Sequence, residues 1–314
     1  MRAAAIDRFG GPEVLTLHVL PVPAIDDDEV LIAMHTAGVG PWDAEIREGW
    51  LADEGAGSPL VLGTDGSGTV AAAGARVRRL TVGDQVYSYS FDNPKGGFYA
   101  EYVAVIADRV GHVPESLDLE HAGAVPTTGL TALQGIDDWL ELRQGERVMI
   151  HGASGGVGTL AVQFAKLRGA IVLASASGAD GVALVRRLGA DEAVDGKRED
   201  LAAAARRFAP EGLDAVLALV GGAALELALE ALRPGGRLAY PNGVEPEPEP
   251  RPGIEITPYD AVSGVREFER LSHAVDAAKL EVPIAAAYPL ADAAQAHERL
   301  AAGHVLGEIV LRIR

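Results

Sequence analysis

Hydrophobic positions follow two different patterns along this chain of 314 residues. In residues 1–120, short apolar runs are interrupted by Gly, Pro and Asp, which is typical of β-strands joined by turns. The strands predicted for this β-rich part are Val30–His35, Gly68–Ala72, Gln85–Tyr89 and Glu101–Ala107. A last apolar run, Glu308–Ile313, predicts a further strand that returns to the same part.

From about Thr131 to Leu280, apolar runs alternate with amphipathic segments. The runs predict strands at Val148–Ile150, Ile171–Ala174, Ala193–Val194, Ala215–Leu219 and Arg237–Tyr240. The segments between them predict helices that include Gly181–Leu188, Leu201–Phe208 and Ala223–Leu232. Such alternation predicts an α/β fold with a parallel, doubly wound sheet. The Pro/Glu-rich stretch Glu245–Gly253 is predicted to be a surface loop.

The segment Val148–Ala176 contains the most informative local pattern. A strand leads into the glycine-rich turn His151–Gly158, an alanine-rich helix follows to Arg168, and a second strand closes the segment. Small residues in such a turn let backbone N–H groups approach a pyrophosphate at the helix N-terminus. The alternative is a glycine-rich turn that binds no ligand.

Within this turn, the spaced glycine pattern has Ala153 at its first position, followed by Gly155 and Gly158. Gly155 and Gly156 are expected to approach the pyrophosphate, and Gly158 to allow close packing of helix against strand. The hydroxyl of Ser154 is a further candidate donor.

The end of the second strand bears on the choice of coenzyme. An acidic residue there would bind the ribose hydroxyls of NAD, but the position is Ala176, flanked by Ser175 and Ser177. Small hydroxyl residues leave room for a 2′-phosphate, which favours NADPH over NADH. Candidate cations for that phosphate, each also explained as a solvated surface charge, are Arg186, Arg187, Lys197 and Arg198.

Composition excludes several classes of function. The formal net charge of −18 repels polyanions, so nucleic acid is not an expected partner. Because the chain has no cysteine, disulfides, thiolate catalysis and cysteine-ligated zinc are excluded. No signal-like N-terminus and no apolar run of roughly 18 residues is present, so we expect no membrane segment and a cytoplasmic location.

Motifs along nearly the whole chain resemble one known family. The matching segments are Phe9–Leu15, Ala37–Ile46, Pro59–Val70, Val82–Val86, Gly96–Val103, Val125–Leu133, Leu188–Asp195 and Ala302–Ile313. In their order and spacing they resemble the zinc-independent quinone oxidoreductase (zeta-crystallin-like) branch of the medium-chain dehydrogenase/reductase superfamily.

This resemblance implies a Rossmann doubly wound sheet plus a GroES-like β-rich substrate domain. The GroES-like domain would take residues 1–121 and 284–314, and the Rossmann NADP-binding domain residues 122–283. A homodimer is expected. The implied reaction is hydride transfer from NADPH to a small quinone or an activated alkene.

The resemblance also predicts that no metal is bound. Zinc-dependent relatives have a cysteine after the region matching Ala37–Gly40, and a His-Glu pair in the segment matching Gly63–Gly68; both are missing here. Asp65 alone cannot hold zinc. Alcohol oxidation then loses its Lewis acid, whereas a quinone or enone spreads the incoming charge over its own oxygen.

The predicted cofactor contacts follow the family's pattern position by position. They are Thr127, Thr131, Ser154, Gly155, Gly156, Val157, Ser175, Ser177, Val220, Gly221 and Asn242. The threonines are equally well explained as caps of a helix that begins near Gly129, and Asn242 as a turn former before Gly243. No catalytic acid is identified, because a reduced quinone can take its proton from water.

Several positions depart from the family. Many quinone reductases have asparagine at Gly40, tyrosine at Glu45, a basic residue at Gly181, tyrosine at Gly196 and lysine at Glu308. These departures remove cofactor and substrate contacts, and two alternatives to an NADPH-dependent quinone reductase therefore stay open. One is an NADPH-dependent enoyl or 2-alkenal reductase, and the other is a non-enzymatic NADPH-binding protein. Candidate pocket residues, which also suit ordinary packing, are Trp42, Trp50, Tyr87, Tyr89 and Phe91.

Overall fold

The structure, a computed structural model, describes residues 1–50 and 58–314. Their contacts divide the chain into two compact units. The first unit comprises Met1–Thr127, Ser263–Asp276 and Ile284–Arg314, and the second comprises Thr128–Val262 and Ala277–Pro283. The two units are defined by contacts within each group of residues and not by function. The predicted domains, residues 1–121 with 284–314 and residues 122–283, therefore stay predictions.

The first unit is β-rich, as the sequence predicts. Its strands are β1 (Arg2–Ile6), β2 (Thr16–Val19), β3 (Glu29–Val39), β4 (Leu60–Val61), β5 (Asp65–Ala73), β6 (Gln85–Tyr89), β7 (Tyr102–Ile106), β8 (Val110–His112), β15 (Ile284–Pro289) and β16 (Glu308–Arg312). Its helices are α1 (Pro41–Glu48), α2 (Leu119–Ala122), α9 (Ala293–Ala301) and most of α8 (Val265–Ala278).

Two sheets form the first unit. A seven-stranded sheet has the order β15-β16-β3-β5-β6-β8, with β7 also paired to β3, and a smaller sheet has the order β2-β1-β4. The returning strand is confirmed, because β16 pairs antiparallel with β3 and places Ile309 opposite Val39. Side chains that alternate along these strands, such as Ile32, Met34 and Leu311, are buried in the core of this unit.

The second unit is the predicted parallel sheet. Its strands are β9 (Arg147–His151), β10 (Ile171–Ala176), β11 (Glu192–Asp195), β12 (Leu213–Ala218), β13 (Leu232–Pro241) and β14 (Glu255–Tyr259). Its helices are α3 (Pro126–Gln134, from Thr128 onward), α4 (Gly156–Leu167), α5 (Gly178–Arg187), α6 (Leu201–Phe208) and α7 (Ala223–Ala228). All strand pairs are parallel, in the order β11-β10-β9-β12-β13-β14.

Burial on both sides explains why the strands of this sheet are continuous apolar runs. Val148, Met149 and Ile150 of β9 are fully buried, as expected for a parallel strand covered on both faces. The strand order changes direction at β9, since β10 lies on one side of it and β12 on the other. The doubly wound α/β fold is therefore confirmed.

Two boundaries differ from the sequence prediction. The helix predicted over Ala223–Leu232 ends at Ala228 and continues as a short 3-10 turn, and β13 already begins at Leu232. The early part of β13 is irregular, because its register against β12 shifts between Leu232 and Arg237 around Pro234 and two glycines. The predicted loop at Glu245–Gly253 contains no helix or strand.

Among the helices of the described residues, none combines the length and the apolar character that crossing a membrane requires.

Candidate functional site

Most of the predicted contact residues meet at one edge of the second unit's sheet. They follow the carboxyl ends of four neighbouring strands: Ser154–Val157 after β9, Ser175 and Ser177 at the end of β10, Val220 and Gly221 after β12, and Asn242 after β13. In open α/β sheets, ligands bind outside the carboxyl ends of the strands, where the strand order reverses. That point is here the boundary between β9 and β12.

The glycine turn leaves the N-terminus of α4 open. Gly155 is its N-cap residue, with φ −81° and ψ 179°, and no side chain caps the amides of the first turn. A Cβ at Gly155 would come no closer than 3.7 Å to the Gly152 carbonyl oxygen. Unused amides at a twelve-residue helix with a positive N-terminal dipole fit a phosphate group.

The third glycine of the turn has a different role. A Cβ at Gly158 would lie 2.4 Å from the Gly152 oxygen and 2.6 Å from Ala153 Cα, so the helix packs directly on the turn. Gly152 itself has φ +86°, a conformation that a side chain would strain. The fold of the turn therefore requires glycine at positions 152 and 158. At position 155 the fold would accept a side chain, because the space around Gly155 is free.

Serines connect the first two turns of the edge. The Ser154 hydroxyl accepts a 3.3 Å hydrogen bond from the Ser177 amide, which ties the turn after β9 to the turn after β10. Ser175 is buried, and its hydroxyl lies 3.1 Å from His151 Nδ1. Burial lowers the pKa of His151 to about 4, so this imidazole is neutral at pH 7. The predicted contact residue Ser175 thus has its oxygen turned towards His151.

The structure also explains the departure at Gly196. A Cβ there would lie 2.4 Å from the Ser175 oxygen, so a larger residue would displace the contact between Ser175 and His151.

Acidic groups at the end of β10 are engaged locally. Asp180 accepts the amide of Gly181 at 2.9 Å. Asp195 of the neighbouring strand pairs in register with Ala176, and its carboxylate accepts the amide of Lys197 at 3.1 Å.

The four candidate cations divide into two pairs. Arg186 donates to the Ala193 carbonyl at 3.0 Å, and Arg187 is bonded to Glu281. Lys197 and Arg198 are exposed immediately after β11, and the only ion pair of Arg198 among the described residues is a 3.7 Å contact with Asp195. Two cations therefore remain accessible beside the end of β10.

The remaining contact residues of this edge lie after β12 and β13. Val220 is half exposed, and a Cβ at Gly221 would lie 2.1 Å from the Pro246 oxygen. Asn242 donates from Nδ2 to Asp260 at 2.8 Å, so its amide orientation is held by a side chain beyond its own turn.

The two threonines lie inside α3, which begins at Pro126. The expectation that this helix begins near Gly129, with the threonines as its caps, is therefore wrong. Proline fits the first turn of a helix because its missing N–H would have no intrahelical partner. The Thr131 carbonyl accepts the hydroxyl of Tyr259 at 2.9 Å, and the Thr127 amide donates to Asp65 Oδ2, also at 2.9 Å.

A pair of buried carboxyl groups was missed as a functional feature by the sequence analysis. Asp43 in α1 is fully buried and accepts the Gly40 amide at 2.8 Å, and Asp65 opens β5 with only 3% of its surface exposed. Burial raises the pKa of Asp43 to about 8, and the nearby charge of Asp65 adds to this. Burial also raises the pKa of Asp65, to about 6, against the effect of hydrogen bonds from Thr127.

Trp42 accounts for the departure at Gly40. A Cβ at Gly40 would lie 2.2 Å from Cζ2 of the indole, so the ring fills the space that a side chain at position 40 would need. The indole N–H donates to the Thr64 hydroxyl at 2.7 Å, which fixes the ring.

The aromatic pocket candidates of the first unit separate into two sets. Tyr87 is fully buried, and its hydroxyl lies 2.9 Å from Ser272, so it is a packing residue. Trp50 is 61% exposed and contacts Phe91 edge-on at 5.4 Å between ring centroids.

Within residues 1–50 and 58–314, no three His, Asp or Glu side chains are grouped closely enough to hold a metal ion. The absence of a resident metal stays a prediction.

Comparison with known families gives two matches along the chain. Residues 26–115 match the alcohol dehydrogenase GroES-like domain, and residues 188–311 match the family described as zinc-binding dehydrogenase.

Curated relatives and solved structures cover nearly the whole chain. The quinone oxidoreductase of Sus scrofa is 33% identical over 95% of this chain and 93% of its own length. An Arabidopsis thaliana NADPH-dependent alkenal/one oxidoreductase is 29% identical over 99% of this chain and 79% of its own length. The structure of a Coxiella burnetii quinone oxidoreductase is 31% identical, with a TM-score of 0.88 over 100% of this chain and 99% of that one.

Two further structures carry different coenzyme descriptions. One, described as an NAD-dependent alcohol dehydrogenase, is 31% identical with a TM-score of 0.92 over the whole of both chains. The other, a mycobacterial protein complexed with NADPH, is 29% identical with a TM-score of 0.87 over the whole of both chains. Together they support NAD(P)H binding without separating the two coenzymes. With the sheet edge, the open turn and these relatives in agreement, the chain belongs to the quinone oxidoreductase (zeta-crystallin-like) branch of the medium-chain dehydrogenase/reductase superfamily and is an oxidoreductase enzyme.

Proposed function

We propose that this enzyme transfers a hydride from NADPH to a small quinone. The observation that carries the proposal is the open α4 N-terminus at the reversal point of a parallel sheet, on a chain related over 95% of its length to a quinone oxidoreductase. A bound nicotinamide supplies the hydride. Because the chain is an oxidoreductase enzyme, we do not propose the third alternative, a non-enzymatic NADPH-binding protein.

The chain's own residues bind and orient the coenzyme in this proposal. Backbone amides of Gly156 and Val157 hold the pyrophosphate, Gly155 leaves room for its approach, and Ser154 keeps this turn tied to Ser177. Val220, Gly221 and Asn242 border the riboses along the same edge, with Asn242 oriented by Asp260. The two threonines of α3 border the nicotinamide ribose. Rate enhancement then comes mainly from orientation of the reacting carbons, and a reduced quinone takes its proton from water.

The preference for NADPH rests on the end of β10. No carboxylate lies at Ala176, Asp180 is turned to Gly181, and Ser177 offers a small side chain. We assign the 2′-phosphate to the exposed cations Lys197 and Arg198, because Arg186 and Arg187 are already bonded elsewhere in the second unit.

Reversal of both charges, Lys197→Glu with Arg198→Glu, is expected to weaken NADPH binding at least tenfold and to change NADH binding less than twofold. The reason is that only NADPH presents a phosphate to these side chains, and a charge-assisted contact contributes about 1.5–3 kcal/mol when well formed. Dissociation constants from coenzyme fluorescence measure both effects. Arg206→Glu with Arg207→Glu, two exposed reversals on α6, controls for net charge. Equal weakening of both coenzymes would contradict the assignment.

Turnover of the purified protein tests the reaction itself. NADPH oxidation is expected with 1,4-benzoquinone and 9,10-phenanthrenequinone, at kcat/KM at least tenfold above that for 2-alkenals and enones. The second candidate, an alkenal reductase, is favoured by the similarity to the Arabidopsis thaliana enzyme, and the reverse order of rates would select it. Coenzyme binding without turnover of either class would overturn both.

A homodimer, a cytoplasmic location and a metal-free site also belong to this proposal. Light scattering of the purified protein tests the first, and activity after dialysis against a chelator tests the last.

A further inference from the structure

One contact joins the buried acid pair to a predicted cofactor residue. Asp65 Oδ2 accepts the amide of Thr127 at 2.9 Å, across 62 positions of the sequence, with both residues buried. Thr127 is the second residue of α3, so its N–H is one of the first-turn donors that lack a partner inside the helix. The carboxylate therefore binds the helix from outside, at its positive end.

The large sheet also fixes the position of the Asp65 carboxylate. Asp65 is the first residue of β5, in register with Tyr89 of β6, so its backbone belongs to the large sheet. A Cβ at Gly38 of β3 would lie 2.5 Å from Asp65 Oδ1, so the carboxyl group lies directly against that strand. The large sheet thus holds the oxygen that accepts the hydrogen bond of the Thr127 amide.

We propose that Asp65 is a positioning residue for hydride transfer, which sets the place of Thr127 through the hydrogen bond to its amide. This inference rests on the proposed function, in which Thr127 borders the nicotinamide ribose. Phosphate contacts at the α4 turn provide most of the coenzyme affinity, whereas the place of Thr127 affects the angle and distance of the transferred hydride. Loss of the bond should therefore lower kcat more than it lowers affinity, because displacement by about 1 Å costs up to 100-fold in rate.

Charged and titratable groups around Asp65 define how this contact responds to pH. Asp43 faces it from α1, and the phenol of Tyr99 lies within its electrostatic influence. With its pKa raised to about 6, Asp65 is ionised at pH 7, while Asp43, raised to about 8, carries a proton. Tyr99 is neutral there, since burial raises its pKa well above 10. Of the two carboxyl groups, Asp65 therefore carries the negative charge at pH 7, and it is the one bonded to Thr127.

Two substitutions at one position test the proposal. Asp65→Ala removes the acceptor and is expected to lower kcat 30- to 100-fold with 1,4-benzoquinone, with the NADPH dissociation constant within threefold of the wild type. Asp65→Asn keeps an uncharged acceptor and is expected to restore kcat to within tenfold. The wild-type kcat should fall below about pH 6 as Asp65 takes up a proton, and this acid limb should be missing in Asp65→Asn. Asp118→Ala, which removes a carboxylate from the start of α2, is the matched control.

Each outcome decides a separate question. Equal losses in kcat and in NADPH affinity, or an acid limb that persists in Asp65→Asn, would overturn the positioning role. If Asp65→Ala does not fold, the pH profile of Asp65→Asn alone decides. Absence of quinone turnover in the wild type is a failure of the proposed function, and NADPH fluorescence titration of the same samples keeps the two failures apart.

Discussion

Gly155→Ala is expected to weaken NADPH binding on the order of 100-fold while the melting temperature of the coenzyme-free protein stays within about 2 °C. The residue has an ordinary φ of −81°, and a methyl group there would meet its nearest neighbour at 3.7 Å, so the fold accommodates it. The same methyl group would occupy the surface over the α4 amides that the pyrophosphate needs. Loss of charge-assisted hydrogen bonds worth about 2–3 kcal/mol corresponds to this factor.

Gly158→Ala separates packing from binding. Its methyl group would lie 2.4 Å from the Gly152 oxygen, so the helix must move away from the turn and the melting temperature is expected to fall by several degrees. Fluorescence titration and thermal unfolding of both variants form the measurement. If Gly155→Ala binds NADPH as the wild type does, the α4 N-terminus is not the phosphate site, whatever Gly158→Ala does.

The glycine turn shows how far local pattern determines a site. Strand, turn and helix follow one another within Val148–Arg168, so their relation is set by neighbours in sequence, and the sequence predicts them. The same holds for the apolar strand runs, including the run that forms β16, whereas the pairing of β16 with the distant β3 is set by the fold. Side-chain direction is different: the sequence places Ser175 beside the coenzyme, whereas the fold turns its oxygen to His151, a residue on the adjacent strand.

Local sequence patterns do not predict contacts between residues that are far apart in the sequence. Asp43 and Asp65 are 22 positions apart, in a helix and a strand, and Thr127 is a further 62 positions along. Each aspartate is unremarkable in its own segment, and only the assembled fold reveals that both are buried together. The only hint in the sequence is that Asp65 is the one acid among the small residues of Gly63–Gly68, and this hint is weak because Thr64 and Ser67 are polar as well.

Gly40 illustrates a departure whose reason is also tertiary. In the sequence, Gly40 stands where many quinone reductases have asparagine. In the structure, the indole of Trp42 occupies the space that a side chain at position 40 would need, and its N–H donates to Thr64. A side chain at position 40 would therefore have to displace the indole of Trp42. Sequence comparison therefore marks the missing contact, and the structure identifies what stands in its place.

Asp43→Asn is expected to stabilise the protein relative to the wild type by an amount that grows from about pH 5 to about pH 8. The folded-state pKa of about 8 lies above the ordinary value of 3.8, so between these two pH values the folded state binds more protons than the unfolded state. The free energy of unfolding consequently falls as pH rises through this window, by up to about 1.4 kcal/mol per pH unit for this group. Asparagine keeps an oxygen for the Gly40 amide but cannot ionise, so the variant escapes this loss.

Thermal unfolding at pH 5, 7 and 8.5 tests this sign. Wild type and Asp43→Asn should have similar melting temperatures at pH 5, and the variant should be higher by several degrees at pH 8.5, for a difference on the order of 3 kcal/mol. Asp191→Asn is the matched control, because the hydrogen bond from Lys166 lowers the pKa of Asp191, and its carboxyl stays ionised throughout this range. That control should shift stability by a constant amount at all three pH values. A difference between wild type and Asp43→Asn that is likewise constant would mean that Asp43 is ionised in the folded protein, and that the charge of the buried pair is not confined to Asp65.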